Sequence, residues 1–167
     1  MAQQSHDEVI KKLHELIKGV NIAMLTTVES DGHLRSRPMA TQKADFDGQL
    51  WFFTGEDSAK VEEIRREQHV NLSYADPGDD VYVSVSGTGT INRDRAKLEE
   101  LWNPIHKAWF PKGLDDPNLA LLCVDVDRAE YWDSPSGKLV QLVGFVKALA
   151  TGKSYNDEAT DHAKVTL

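Results

Sequence analysis

The chain has 167 residues, 40% of them hydrophobic, and a formal net charge of −8. That length suits one domain with its own core, and the acidic balance repels nucleic acid and anionic membrane surfaces, which leaves a small molecule as the expected ligand. A single cysteine excludes an intramolecular disulfide, no apolar run reaches the roughly 18–20 residues of a membrane span, and Met1-Ala2-Gln3-Gln4 lacks a signal-peptide layout, so a cytoplasmic location is expected.

In chain order, Ser5 with Glu8 three residues later forms a capping box, and Val9, Leu13, Leu16 and Ile17 recur at helical spacing up to Gly19. The spacing predicts an amphipathic first helix. Val20 to Val28 is β-rich, and Ser30-Asp31-Gly32 turns into a second extended segment from His33 to about Phe46. Asp47-Gly48 then marks a hairpin into the aromatic strand Leu50-Trp51-Phe52-Phe53-Thr54. Ser58 is placed to cap a helix with Val61 and Ile64 inward, His69 to Tyr74 returns to strand, and Asp76-Pro77-Gly78-Asp79 is a turn.

Val81, Val83, Val85, Gly87, Gly89 and Ile91 share one face of the next segment, opposite Tyr82, Ser84, Ser86, Thr88, Thr90 and Asn92. Such alternation describes a long half-buried strand. Gly87-Thr88-Gly89 lacks the third glycine and the following helix of a dinucleotide fingerprint, so these glycines are read as strand curvature. Asp94 caps a helix through Leu98, Leu101 and Trp102, a connector runs from Pro104 to Pro117, and apolar strands follow at Leu119 to Trp132 and Leu139 to Leu149. Residues 1–150 are expected to form one domain and 151–167 a polar, loosely ordered tail. Six or seven strands with short antiparallel connections and about three helices point to a mainly β fold, a small barrel with helices packed on it.

The chemistry concentrates between Arg35 and Lys60. Two arginines, a serine hydroxyl and a lysine at a helix start offer charge and bare N–H groups to an anion, beside an aromatic strand suited to a flat ring. Each residue also has a plainer reading: Arg35 and Arg37 as solvated charges, Ser58 and Lys60 as an N-cap and a surface lysine, and Phe53 as core. Trp109 and Phe110 stand apart, because large aromatics in a Pro- and Gly-bounded connector dock on something, either protein or ligand. The six histidines show no metal-ligand spacing and no structural metal is expected; Asp125 and Asp127 at the end of an apolar run read as solvent-facing. No Ser/His/Asp arrangement emerges. Cys123, within Leu119-Ala120-Leu121-Leu122-Cys123-Val124, reads as a small buried hydrophobe. His106 is read either as an interface residue or as a proton-transfer group near Trp109.

Together these residues resemble the flavin-binding split barrels, the family of pyridoxamine 5′-phosphate oxidases and related general stress proteins, over nearly the whole chain. Phe53-Thr54 followed by Ser58 and Lys60 resembles that family's tyrosine-threonine and serine-x-lysine steps, and Arg37, beside Arg35, its phosphate arginine. Trp109-Phe110-Pro111-Lys112-Gly113, Asp115-Asp116-Pro117 and Tyr131-Trp132-Asp133 resemble the general stress protein branch. The resemblance implies an antiparallel split β-barrel and a homodimer with FMN sites at the subunit interface. It implies that Arg35, Ser36, Arg37, Pro38 and Met39 run along the flavin and its phosphate tail, that Phe53 and Thr54 approach the ring, and that Ser58 and Lys60 bind phosphate. Trp109, Phe110 and Trp132 would come from the partner chain. The implied activity is flavin-dependent oxidation or reduction of a small molecule, with a flavin-binding stress or regulatory protein without turnover as the alternative. FAD or the deazaflavin F420 are alternatives to FMN in the same groove. Oxidases of the family hold their phosphorylated substrate with C-terminal arginines, and the absence of arginine after Arg128 argues against that reaction here.

Overall fold

A computed structural model describes residues 6–133 and 161–167. Its elements are α1 (His6–Ile17), β1 (Ile22–Val28), β2 (Leu34–Ala40), β3 (Gln49–Gly55), α2 (Ala59–Arg66), β4 (His69–Asp76), β5 (Val81–Asn92), α3 (Arg95–Leu101), two short 3-10 turns (Pro104–Ala108 and Gly113–Asp115), β6 (Leu119–Asp133) and β7 (Asp161–Thr166). All strand pairings are antiparallel, in the order β2-β1-β4-β5-β6-β3, with β7 beside the far half of β6. This is the antiparallel barrel expected from the strand pattern and the split barrel that the resemblance implies. Among the described residues, no helix is long and apolar enough to cross a membrane.

Strand alternation puts Leu25, Phe52, Leu72 and Val85 inside, where Val9, Leu13 and Ile17 of α1 close over them. Each such side chain, fully buried, contributes about 1.5–3 kcal/mol. Residues 119–124 of β6 are buried on both faces, because a second cluster of Leu98, Phe110, Leu119 and Leu121 packs outside the barrel wall. Phe53 and Trp51, on the outward face of β3, belong to that second cluster.

Gly87 has a specific task. The β5–β6 register shifts between Ser86 and Gly87, and a Cβ at Gly87 would sit 2.2 Å from the backbone oxygen of Asp125. Only a residue without a side chain admits so close an approach at the bulge. Beyond the bulge, β6 changes partners on its other edge from β3 to β7.

Two expectations are corrected. The extended segment from His33 to Phe46 leaves the sheet after Ala40, because Thr41 bonds back to Asn21 and Val20 and Phe46 buries itself while its N–H takes Nδ1 of His14 at 3.2 Å. The end of the tail is strand β7, not loose chain: the Leu167 N–H donates to the Asp127 carbonyl at 2.9 Å, and Ala163, Val165 and Leu167 pack on the core. A polar composition concealed that alternation. The strand expected at 139–149 lies outside the described residues.

Candidate functional site

The ladder path ends at β2 on one side and β3 on the other. Between them lies a cavity of about 370 Å³, walled by Ile22, Pro38 and Met39 from β1 and β2, by Phe53, Thr54 and Lys60 from β3 and α2, and by His106, Trp109 and Phe110 from the connector. That volume is in the range of cofactor sites, roughly 300–1,000 Å³. A hollow of about 40 Å³ beneath α1, beside His14 and Phe46, holds water at most.

One end of the cavity is cationic. Ser58 occupies the N-cap of α2 with extended dihedrals, yet its hydroxyl caps no N–H; it lies 3.3 Å from the hydroxyl of buried Thr54. The first turn of α2 therefore keeps free donors beside Lys60. Lys60 is half-buried, and no hydrogen bond or salt bridge ties it to another described residue. Burial and then the Arg37 charge push the Lys60 ammonium below its ordinary pKa, against opposing pulls from Glu63 and Asp57. A half-buried cation under this strain favours an anion beside it.

Arg37 itself is turned inward. Nη1 donates to Thr27 Oγ1 at 2.5 Å and Nη2 to Glu63 Oε2 at 2.7 Å, while Thr27 donates to the same carboxylate oxygen at 2.6 Å. Burial alone would raise the Glu63 pKa, but the Thr27 hydrogen bond and the Arg37 charge together bring it below the ordinary carboxylate value. The closed triangle locks β1, β2 and α2 together behind Lys60.

The other end is aromatic. Phe53 meets Trp102 edge-on at 5.9 Å and lies under the His106 ring at 4.2 Å. Trp109 is 69% exposed, whereas Phe110 is 7% exposed because its ring fills the second core cluster.

The fold thus brings Pro38, Met39, Phe53, Thr54, Lys60, Trp109 and Phe110 around one cavity, with Ser58 joined through Thr54. Arg35, Ser36 and Arg37 do not line it in this chain: Arg35 reaches Glu29 at 3.5 Å, Ser36 pairs with Thr26 at 2.6 Å, and Arg37 is held as above. Trp132 lies opposite Tyr82 on the far half of β6, up to roughly 35 Å along the strand from the residue facing Phe53. Phe110 serves its own chain's core. Sequence reasoning missed Ile22, Gln42 and, above all, Glu63, although Lys60 and Glu63 stand one helical turn apart. No group of three or more candidate metal ligands occurs among the described residues.

Comparison with known proteins places this architecture. A family model described as pyridoxamine 5′-phosphate oxidase like matches residues 8–156. The chain is 34% identical to a general stress FMN/FAD binding protein from Xanthomonas citri, covering 78% of this chain and 92% of that one with a TM-score of 0.67. A structure from Jannaschia sp. CCS1, named as a candidate general stress protein 26, superposes with a TM-score of 0.75 at 25% identity, covering 96% of this chain and 99% of that one. Protein bli-3 of Neurospora crassa is 29% identical over 88% of this chain and 75% of its own length. The chain therefore belongs to the pyridoxamine 5′-phosphate oxidase-like family, in its general stress protein branch.

Proposed function

We propose that this protein binds a flavin in the β2–β3 cavity and acts as a flavin-dependent oxidoreductase on a small molecule. The observation that carries the reading is the pairing within one cavity of an unpaired, half-buried Lys60 with the Phe53–His106–Trp109 aromatic end. A molecule with a terminal phosphate and a flat, apolar ring satisfies both ends, and one phosphate is what Lys60, the single lysine or arginine lining the cavity among the described residues, and an uncapped helix start accommodate. FMN is therefore the flavin we favour over FAD or a deazaflavin. The Xanthomonas citri relative, named for FMN/FAD binding, supports the class.

Lys60, Ser58 and the first N–H groups of α2 would hold the phosphate, Phe53 and Trp109 would flank the ring, and Thr54 would fix the wall between them. When bound, the flavin supplies hydride or electron transfer. The protein supplies position, a positive end and partial exclusion of water. Arg37 acts at one remove, by positioning β2 against α2.

The working unit in this reading is a cytoplasmic homodimer. Exposed Ile22, Met24 and Trp109 beside the cavity, and Tyr82 with Trp132 on the outer sheet face, are the apolar surface a second copy would cover. Trp132 reaches a flavin only as a partner's residue. Spectroscopy of the purified protein tests flavin binding. Reduction of that flavin by NADH, NADPH or another defined donor, faster than free FMN, tests turnover. Silence with every donor would favour a flavin-binding stress protein without turnover.

A further inference from the structure

We infer that His106 is the hydrogen-bond donor that reads an acceptor on the ring of the cavity's ligand, with Nε2–H as the donating atom. The assignment rests on the flavin reading above and adds a specificity-determining residue to it.

The turn at Pro104–Ala108 begins with a capping box: the Asn103 side chain accepts from the Ile105 N–H at 3.1 Å, and the Asn103 N–H donates to His106 Nδ1 at 3.1 Å. A backbone N–H can only donate, so Nδ1 carries a lone pair and the neutral ring carries its proton on Nε2. The ring cannot swing, because Phe53 lies 4.2 Å from it on one side and Trp102 5.4 Å away on another. It lines the cavity. Nε2 has no hydrogen-bond partner among the described residues, and it is not among their fully buried side-chain atoms left unpaired, of which Glu56 Oε2 is the single one.

The remaining polar lining is largely spoken for. The Thr54 hydroxyl pairs with Ser58, and the Gln42 amide donates to the Ala40 carbonyl at 3.2 Å. Of the donors left for a ligand, Lys60 and the first turn of α2 sit at one end, and His106 and the exposed Trp109 indole at the other, of which the His106 ring is the one held in place. A ligand satisfying both carries an anion at one end and a neutral acceptor, a ring carbonyl or pyridine-type nitrogen, at the other.

Protonation would break this arrangement, since a proton on Nδ1 would face the Asn103 N–H donor to donor. Phe53 and Trp102 carry no charge, and the charged side chains on the same turn and across the cavity, Lys107 and Lys60, are both cations. Burial holds the imidazole below its ordinary value of 6.5.

The test combines NMR of protein labelled with ¹⁵N-histidine and flavin titrations of two variants. In the ligand-free protein His106 is expected as the Nε2–H tautomer, titrating below the ordinary histidine range, and FMN is expected to shift its Nε2 resonance. His106→Asn keeps an acceptor for the Asn103 N–H but removes the ring donor. It is expected to weaken FMN and riboflavin alike, by about tenfold each, and to abolish the loss of affinity expected of the wild type as pH falls below the ordinary histidine range and the imidazole protonates. His106→Gln, which restores an N–H near the Nε2 position, is expected to recover part of the affinity. An Nδ1–H tautomer, or a His106→Asn protein with wild-type affinity and pH profile, would overturn the assignment while leaving flavin binding intact. A wild type that binds no flavin would overturn both. Should His106→Asn fail to fold, the tautomer and the FMN-induced Nε2 shift in the wild type decide the matter.

Discussion

Arg37 gives its guanidinium to Glu63 rather than to the cavity: Nη2 lies 2.7 Å from Glu63 Oε2, and the two side chains are only 16% and 8% exposed. A buried ion pair adds little net stability over an apolar replacement, but removing one partner strands the other charge. Glu63→Ala and Arg37→Ala are each expected to lower unfolding stability by about 3–5 kcal/mol, measured by denaturant titration. Stability unchanged in both variants would show that the triangle with Thr27 is not formed.

The same carboxylate sets an acid limit. Its folded pKa lies below the ordinary 4.5, so the stability it contributes is fully present above that value and is lost as pH falls through the folded pKa. Acid unfolding of the wild type is expected to begin below pH 4.5 in part through this group, and Glu63→Gln should flatten that limb of the stability profile.

Lys60 and Arg37, which the sequence presents as equivalent phosphate ligands, should separate on mutation. Lys60→Ala is expected to weaken FMN binding by one to two orders of magnitude, about 1.5–3 kcal/mol for a lost charge-assisted contact, and to leave riboflavin affinity nearly unchanged. Isothermal titration with the two ligands reads the ratio. Equal weakening of both would move the phosphate away from α2.

Gly87→Ala should be more harmful than most surface changes. Its Cβ would sit 2.2 Å from the Asp125 carbonyl, a clash with backbone that forces the β5–β6 bulge apart. A loss of about 1–3 kcal/mol or more is expected, read as a lower melting temperature, whereas Gly19→Ala, with nothing within 4 Å of its Cβ, serves as the control.

Cys123 is 3% exposed, and burial followed by the nearby Asp125 and Asp47 charges pushes its thiol up to about 11. A thiol reagent at neutral pH is expected to label it only after unfolding. Rapid labelling of the native protein would place it outside the packed wall of β6.

Much of the fold was legible because its strands alternate cleanly: the valines of β5 and the aromatic run of β3 state which face is buried. Local signals also located the Lys60 end of the cavity, since an N-cap serine and a nearby lysine lie within one turn. The rest depends on contacts that sequence distance hides. Glu63 lies 26 residues from Arg37, and nothing in the Arg-Ser-Arg run reveals that one arginine is already paired. His106 acquires its tautomer from the Asn103 N–H and its fixed plane from Phe53 on a distant strand. β7 escaped because its apolar members, Ala163 and Val165, and the Leu167 that follows are small or set among polar neighbours.

The absorption spectrum of the protein, as purified and after addition of FMN followed by removal of unbound ligand, bears most directly on flavin binding in the β2–β3 cavity. Flavin bands that co-purify with the wild type or are retained after FMN addition, and that are diminished in Lys60→Ala, are expected. A colourless wild-type protein that retains no added FMN would contradict it.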